Sequence, residues 1–239
     1  THILWLNSYF IKEFSLKLNS FRKEIFEKLL RLGFPTALQL FFEVTAFAGA
    51  AFICGLISAR DIAAHQIALS MASFTFNLCV GFSVASTVMI GRKLGEKDFV
   101  NLEKVGFNNL KIAFLFMLMC GIFLILGKNI LPTFFTKKED ADVILLASKL
   151  MIIAALFQLS DGVQVTALGC LRGIQDVKIP SILTFISYWV ITIPLGYYLT
   201  VVQQMGAFGM WIALGIGLTI SAVMLVLRFI NLAEKRIHR

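Results

Sequence analysis

A chain of 239 residues that is 58% hydrophobic and 15% charged departs from a soluble domain, which carries roughly 45–50% apolar and about 25% charged residues. Its mean hydropathy is +0.83, and its formal net charge of +8 gathers in clusters between long uncharged runs, the layout of a chain whose solvent is lipid. A soluble enzyme core is excluded, and neither an enzyme activity nor a nucleic-acid partner is expected.

In chain order, the apolar residues 3–10 are too few to cross a bilayer core, which takes roughly 20. They read as the tail of a helix whose beginning is missing, and the opening Thr1 in place of Met leads to the expectation of a fragment of something longer. Over residues 11–31 the apolar Leu18, Phe21, Ile25 and Leu29 recur at helical spacing among Lys17, Arg22, Lys23, Lys28 and Arg31, the pattern of a basic helix lying at a membrane surface. Six spans follow, expected at residues 32–57, 62–90, 110–131, 143–171, 179–201 and 205–229. Residues 62–91 contain no Asp, Glu, Lys or Arg, and neither do residues 179–227, a run long enough for two crossings and a turn at Gln203, Gln204, Met205 and Gly206.

Prolines and aromatic residues fit the same map. Pro35 and Pro180 are expected in the first turn of a span, where a missing N–H costs nothing. Pro194 falls inside the fifth span and predicts a kink, which membrane helices accept when neighbours satisfy the freed carbonyl. Tyr197 and Tyr198 are placed at the outer interface. Cys54, Cys79, Cys120 and Cys170 lie inside apolar runs without metal or disulfide spacing and read as packing residues. Of the 22 Lys and Arg, 17 fall on the side holding both ends of the chain, so both ends are expected in the cytoplasm.

Within these spans only Glu43 and Asp161 place a carboxylate deep in apolar sequence; Lys149 can snorkel from the first turns of the fourth. An ionised Asp at a helix centre costs roughly 2.5–3.5 kcal/mol on insertion scales, so such residues mark function by default. Gln39 lies one turn before Glu43, and Gln158 and Gln164 lie one turn on either side of Asp161, so amide oxygens share the carboxylates' helix faces. Carboxylates with neutral oxygens in a dry pocket suit a hard monovalent cation such as sodium; the same pair also suits a proton. The bland alternative is that both acids pair with Gln or Ser on facing helices and only fix packing.

Weaker candidates surround them. Asn77 lies mid-span, lining a cavity or bridging two helices. His65 and Gln66, near the outer start of the second span, read as interfacial hydrogen-bonding residues, and Asp176 is expected to pair with Arg172 or Lys178. Gly209, Gly215 and Gly217 are assigned to close helix packing.

Four stretches now carry a family resemblance: Gly33 to Glu43 (GFPTALQLFFE), Ile62 to Leu69 (IAAHQIAL), Gly91 to Gly95 (GRKLG), and Gly169 to Gly173 (GCLRG) followed by Asp176 and Pro180. In order and spacing they resemble the multidrug and toxic compound extrusion (MATE) transporters, in particular the bacterial NorM-like branch. The resemblance implies an all-α polytopic bundle of six transmembrane helices forming one lobe of a twelve-helix transporter. It makes residues 1–31 the cytoplasmic connection between lobes and residues 32–239 the C-terminal lobe, in a bacterial inner membrane.

It further implies that Glu43 and Asp161 bind the coupling cation, sodium or proton, with no other cofactor, while drugs or toxic organic cations leave by alternating access. Its expected partners are membrane lipid, the drug and the missing N-terminal lobe. Family members often carry Tyr one turn before the aspartate, where this chain has Phe157, which removes one oxygen from the ion's surroundings. A related lipid-linked oligosaccharide flippase is a rival reading; it wants Arg or Lys in the cavity, and no cationic residue is expected near the centre. An intramembrane aspartyl protease needs two aspartates, and a structural half-subunit without transport of its own is the third rival.

Overall fold

The computed structural model describes residues 22–136 and 140–237, and all described regular structure is helical. Six helices are long and apolar enough to cross a membrane: α1 Lys23–Ile57, α2 Ala59–Gly95, α3 Phe99–Gly127, α4 Ala141–Gly173, α5 Lys178–Val202 and α6 Gly206–Ile237. A short 3₁₀ turn, Leu131–Phe134, follows α3. The chain divides into two units, Thr1–Phe34 and Pro35–Arg239. In the first, most of the surface helix expected over residues 11–31 lies outside the described residues; the remainder is an exposed helix with a loose Lys23–Glu27 pair at 3.8 Å.

Four expectations need correction. α1 runs unbroken through the expected start at residue 32, because the basic residues 23–31 are themselves good helix formers, so Pro35 is internal to the helix and not in its first turn. α3 starts at Phe99 and not near 110: Asp98 accepts from the Asn101 N–H as its cap, and the polar first turns extend beyond what hydropathy detects. It ends at Gly127, and residue 131 belongs to the 3₁₀ turn. Asp176 pairs with Arg228 of α6 at 2.9 Å, and not with Arg172 or Lys178. Pro180 and the turn at 203–205 stand where they were expected.

The second unit is built by small residues. In lipid no hydrophobic force presses helices together, so close backbone approach and interhelical hydrogen bonds do that work. α2 lies along α4 through a row of donors: Cys79 Sγ to Gly162 O at 4.0 Å, Ser83 Oγ to Val165 O at 2.6 Å and Thr87 Oγ1 to Gly169 O at 3.0 Å. The glycines of the GCLRG stretch make this approach possible, since a Cβ on Gly169 would collide with the Ser83 backbone and one on Gly173 would stand 2.8 Å from Ile90 Cβ. Gly121 brings α3 against the Ala155 carbonyl of α4. Around α4 lie an apolar cluster centred on Met151, Phe157, Tyr188 and Trp211 and another centred on Ile90, Leu171 and Phe229. The outward faces are apolar as well, with Leu126 77% and Phe52 68% exposed, as befits side chains that meet lipid.

α5 is irregular: π-helical turns at Ile186–Thr192 and Tyr198–Val202 flank Ile193–Tyr197. Next to Pro194, where a kink was expected, the hydrogen-bond register changes, and the Ile193 N–H reaches Tyr188 O. Thr192 Oγ1 donates to the Ser187 carbonyl at 2.8 Å. Gly217 makes room for Thr192, and Gly209 for the Leu199 carbonyl, whereas Gly215 has nothing within 4 Å, so two of the three α6 glycines serve packing. Asp61 is a buried carboxylate passed over in the sequence: its Oδ1 accepts from the Ala207 N–H at 2.7 Å, capping α6 from another helix, and Ser58 Oγ donates to its Oδ2 at 2.6 Å. Gly206, at φ +60, makes the turn that brings this helix end to the carboxylate.

Candidate cation site

Glu43 on α1 and Asp161 on α4 are both buried, 8% and 4% exposed, and line one cavity of about 380 Å³. α1 contributes Leu40, Val44 and Phe47, α2 contributes Leu69 and Phe76, and Phe157 lies one turn from Asp161. Apart from the two acids the polar lining is Gln66 and Ser73, so two carboxylates, within electrostatic reach of each other, face a space walled by phenyl rings and aliphatic chains. A larger cavity of about 530 Å³ opens beside Arg60 and Asp140; it contains neither acid and lacks their desolvation, so the chemistry belongs to the smaller one.

The supporting residues take up distinct positions. Gln39 is buried one turn before Glu43, and its Oε1 accepts from Arg172 Nη2 at 3.2 Å. Gln164 is buried one turn after Asp161, and its Oε1 accepts from the Tyr188 hydroxyl at 3.1 Å. Gln158 is fully buried with both amide atoms unpartnered among the described residues. Phe157 stands edge-on to Phe47 at 6.1 Å and to Trp211 at 5.6 Å. Asn77 turns outward and donates to the Ser73 carbonyl of its own helix at 2.8 Å; it is not among the cavity's lining residues. His65 is not the hydrogen-bonding residue expected: it is completely buried, its ring tilted by 58° at 5.8 Å from that of Trp211, with neither ring nitrogen partnered among the described residues.

Three participants escaped the sequence reading. Tyr188, a residue not singled out in the sequence, brings a phenol beside Gln164 from α5. Trp189 Nε1 donates to the Phe42 carbonyl at 3.1 Å, tying α5 to the turn that carries Glu43. Arg172 was assigned to a connection; it belongs to the last turn of α4 and reaches back to Gln39, within electrostatic range of Glu43. Arg172 does not line the cavity and stands at the end of its helix, not at the centre of the span. Chemically the site is two hard anionic oxygen donors in a dry wall, fit for a small monovalent cation or a proton and poor for a transition metal; no group of three His, Cys, Asp or Glu gathers among the described residues.

A MatE family model matches residues 35–198. The chain is 37% identical over 205 residues to the multidrug resistance protein NorM of Photobacterium profundum, covering 84% of this chain and 44% of that protein. To the multidrug resistance protein MdtK of Yersinia pseudotuberculosis it is 36% identical over 209 residues, 86% and 45% of the two. The chain thus spans about half the length of the curated relatives it matches.

Its fold matches an outward-facing multidrug resistance MATE family transporter of the MOP superfamily with a TM-score of 0.85 at 21% identity, over 93% of this chain and 50% of that one. The eukaryotic MATE transporter AtDTX14 matches with 0.82 at 18% identity, over 97% and 55%. At such identities the structures speak for the fold alone. A family model over most of the chain, close bacterial relatives and six membrane-length helices arranged as half of a MATE transporter lead to one assignment: the chain belongs to the MatE family, in its NorM-like branch.

Proposed function

We propose that this chain forms the C-terminal lobe of a twelve-helix antiporter that exports drugs or toxic organic cations from a bacterial cell, drawing on a sodium or proton gradient through Glu43 and Asp161. The lobe sits in the inner membrane with both ends cytoplasmic and residues 1–31 leading from the N-terminal lobe. The observation that carries the reading is that two buried carboxylates from different helices face one phenyl-lined cavity, where neither makes a direct ion pair among the described residues. A buried carboxylate without a direct counter-ion is expensive, and a cation that enters and leaves is the compensation. Coupling follows if ion and drug favour different conformations of the two lobes, and the phenyl walls suit an apolar cation.

The test is ethidium efflux by the complete transporter in proteoliposomes, under an imposed sodium gradient and, separately, a pH gradient. Asp161→Asn and Glu43→Gln are expected to reduce gradient-driven efflux to background while the protein remains folded. Undiminished efflux by both variants would remove the acids from the mechanism and leave them a packing role.

A further inference from the structure

Arg172 presents a problem that the site as described does not solve. Its side chain runs back from the last turn of α4, and Nη2 is satisfied by Gln39 at 3.2 Å. Nε is buried with no partner among the described residues. A guanidinium used only to tie α4 to α1 would be expected to employ its fork fully, because a buried unsatisfied donor costs about 1–3 kcal/mol. Gln39 and Glu43 are one helical turn apart on α1 and share a face, so the tether holds a permanent cation beside the carboxylate without pairing it directly.

We propose that Arg172 is a built-in competitor for the coupling cation: when the site is empty the guanidinium balances Glu43, and ion binding must overcome it. This rests on the antiport reading above and goes beyond it by assigning to α4 a positioning residue that sets ion affinity and links ion occupancy to the α1–α4 contact. The groups facing Glu43 are few. Arg172 and Asp161 are both on α4, and Tyr188 faces both acids from α5. From α2, Cys79 faces Asp161. Arg172 is the cation of this set, so its removal has a definite sign: the negative field at Glu43 grows, and the ion binds more tightly but leaves more slowly.

The experiment is ion-dependent ethidium efflux by the complete transporter in proteoliposomes, comparing wild type, R172Q and R172K. Wild type is measured first, with sodium varied at fixed pH and then pH varied at zero sodium. Efflux indifferent to both ions defeats the antiport reading itself, and this inference with it. With a wild-type ion dependence in hand, R172Q is expected to lower the apparent KM for the ion about tenfold, the lower end of the effect of a nearby opposite charge on a carboxylate, and to lower kcat. R172K keeps the charge while losing the planar fork and is expected to stay within about threefold of the wild-type KM.

An unchanged or raised KM in R172Q, or R172K behaving like R172Q, overturns the proposal in favour of a plain structural tether. Should R172Q fail to fold, R172M is read in its place. If neither survives while R172K does, the lobe cannot stand without the charge, and the proposal fails.

Discussion

At the scale of single residues, the glycines of α4 give the plainest energetics. Gly169 sits where any side chain meets the backbone of α2, and Ser83 cannot swing away because its own hydroxyl is bound to Val165 O. Gly169→Leu is therefore expected to destabilise by more than the about 1–3 kcal/mol usual for overpacking, seen as loss of monodisperse protein on heating in detergent. Tyr188→Phe removes one buried hydrogen bond and leaves the Gln164 amide oxygen bare, a cost of about 1–3 kcal/mol. The melting temperature should fall modestly, and ion-driven efflux should change far less than in Asp161→Asn. An equal loss in both would place the phenol among the ion-handling groups.

The helices differ in how much of themselves the amino acids disclosed. Long apolar runs located all six spans, and Glu43 and Asp161 stood out because a carboxylate there has to be justified. Helix ends were harder: α1 and α3 continue through polar turns that leave the apolar layer, and hydropathy has no signal for a helix that persists into water. The partners of the acids were harder still. Arg172 looked like a loop cation because it follows an apolar run, and nothing in the sequence set Tyr188 apart from its apolar neighbours; only the packing of α1, α4 and α5 reveals where they point.

Asp61 was missed for a related reason, since its purpose is the buried helix-end N–H of Ala207, 146 positions away. Asp61→Ala is expected to cost about 0.5–2 kcal/mol as a lost cap, with Asp61→Asn recovering much of it in a thermal melt. At the α2–α3 turn, Glu96 is held below the ordinary glutamate range by hydrogen bonds from Lys93 and Arg92, and Asp98 below the aspartate range by Asn101 and Lys93. A carboxylate with a depressed folded-state pKa contributes stability that is complete above its unfolded value and disappears only as pH falls through the lower folded one. The turn therefore does not titrate between pH 5 and about 8, where the reference carboxyl values near 4 lie well below. Any pH dependence of transport in that window should survive Glu96→Gln unchanged.

For the molecule as a whole, the chain matches half of each transporter it resembles, and alternating access needs two walls. Residues 1–239 alone, placed in liposomes, are expected to show no ethidium efflux above empty vesicles; efflux driven by either gradient would refute the half-transporter reading. Co-insertion with the N-terminal half of the Photobacterium profundum relative is the natural complementation test.

The seam between α2 and α4 has a mechanical corollary. Three side-chain bridges across it, from Cys79, Ser83 and Thr87, are donated by α2 to backbone carbonyls of α4 at three successive turns, so a slide of one residue would break those three together. These two helices must travel as a single plank. α1 and α5 are joined to each other by a tryptophan on one carbonyl and by Phe42 on Phe185 at 4.9 Å, and each reaches α4 through a side-chain bond, Arg172 to Gln39 and Tyr188 to Gln164, fastenings that tolerate a tilt. A covalent staple across the plank should leave a working pump, and one fixing α1 to the plank should jam it.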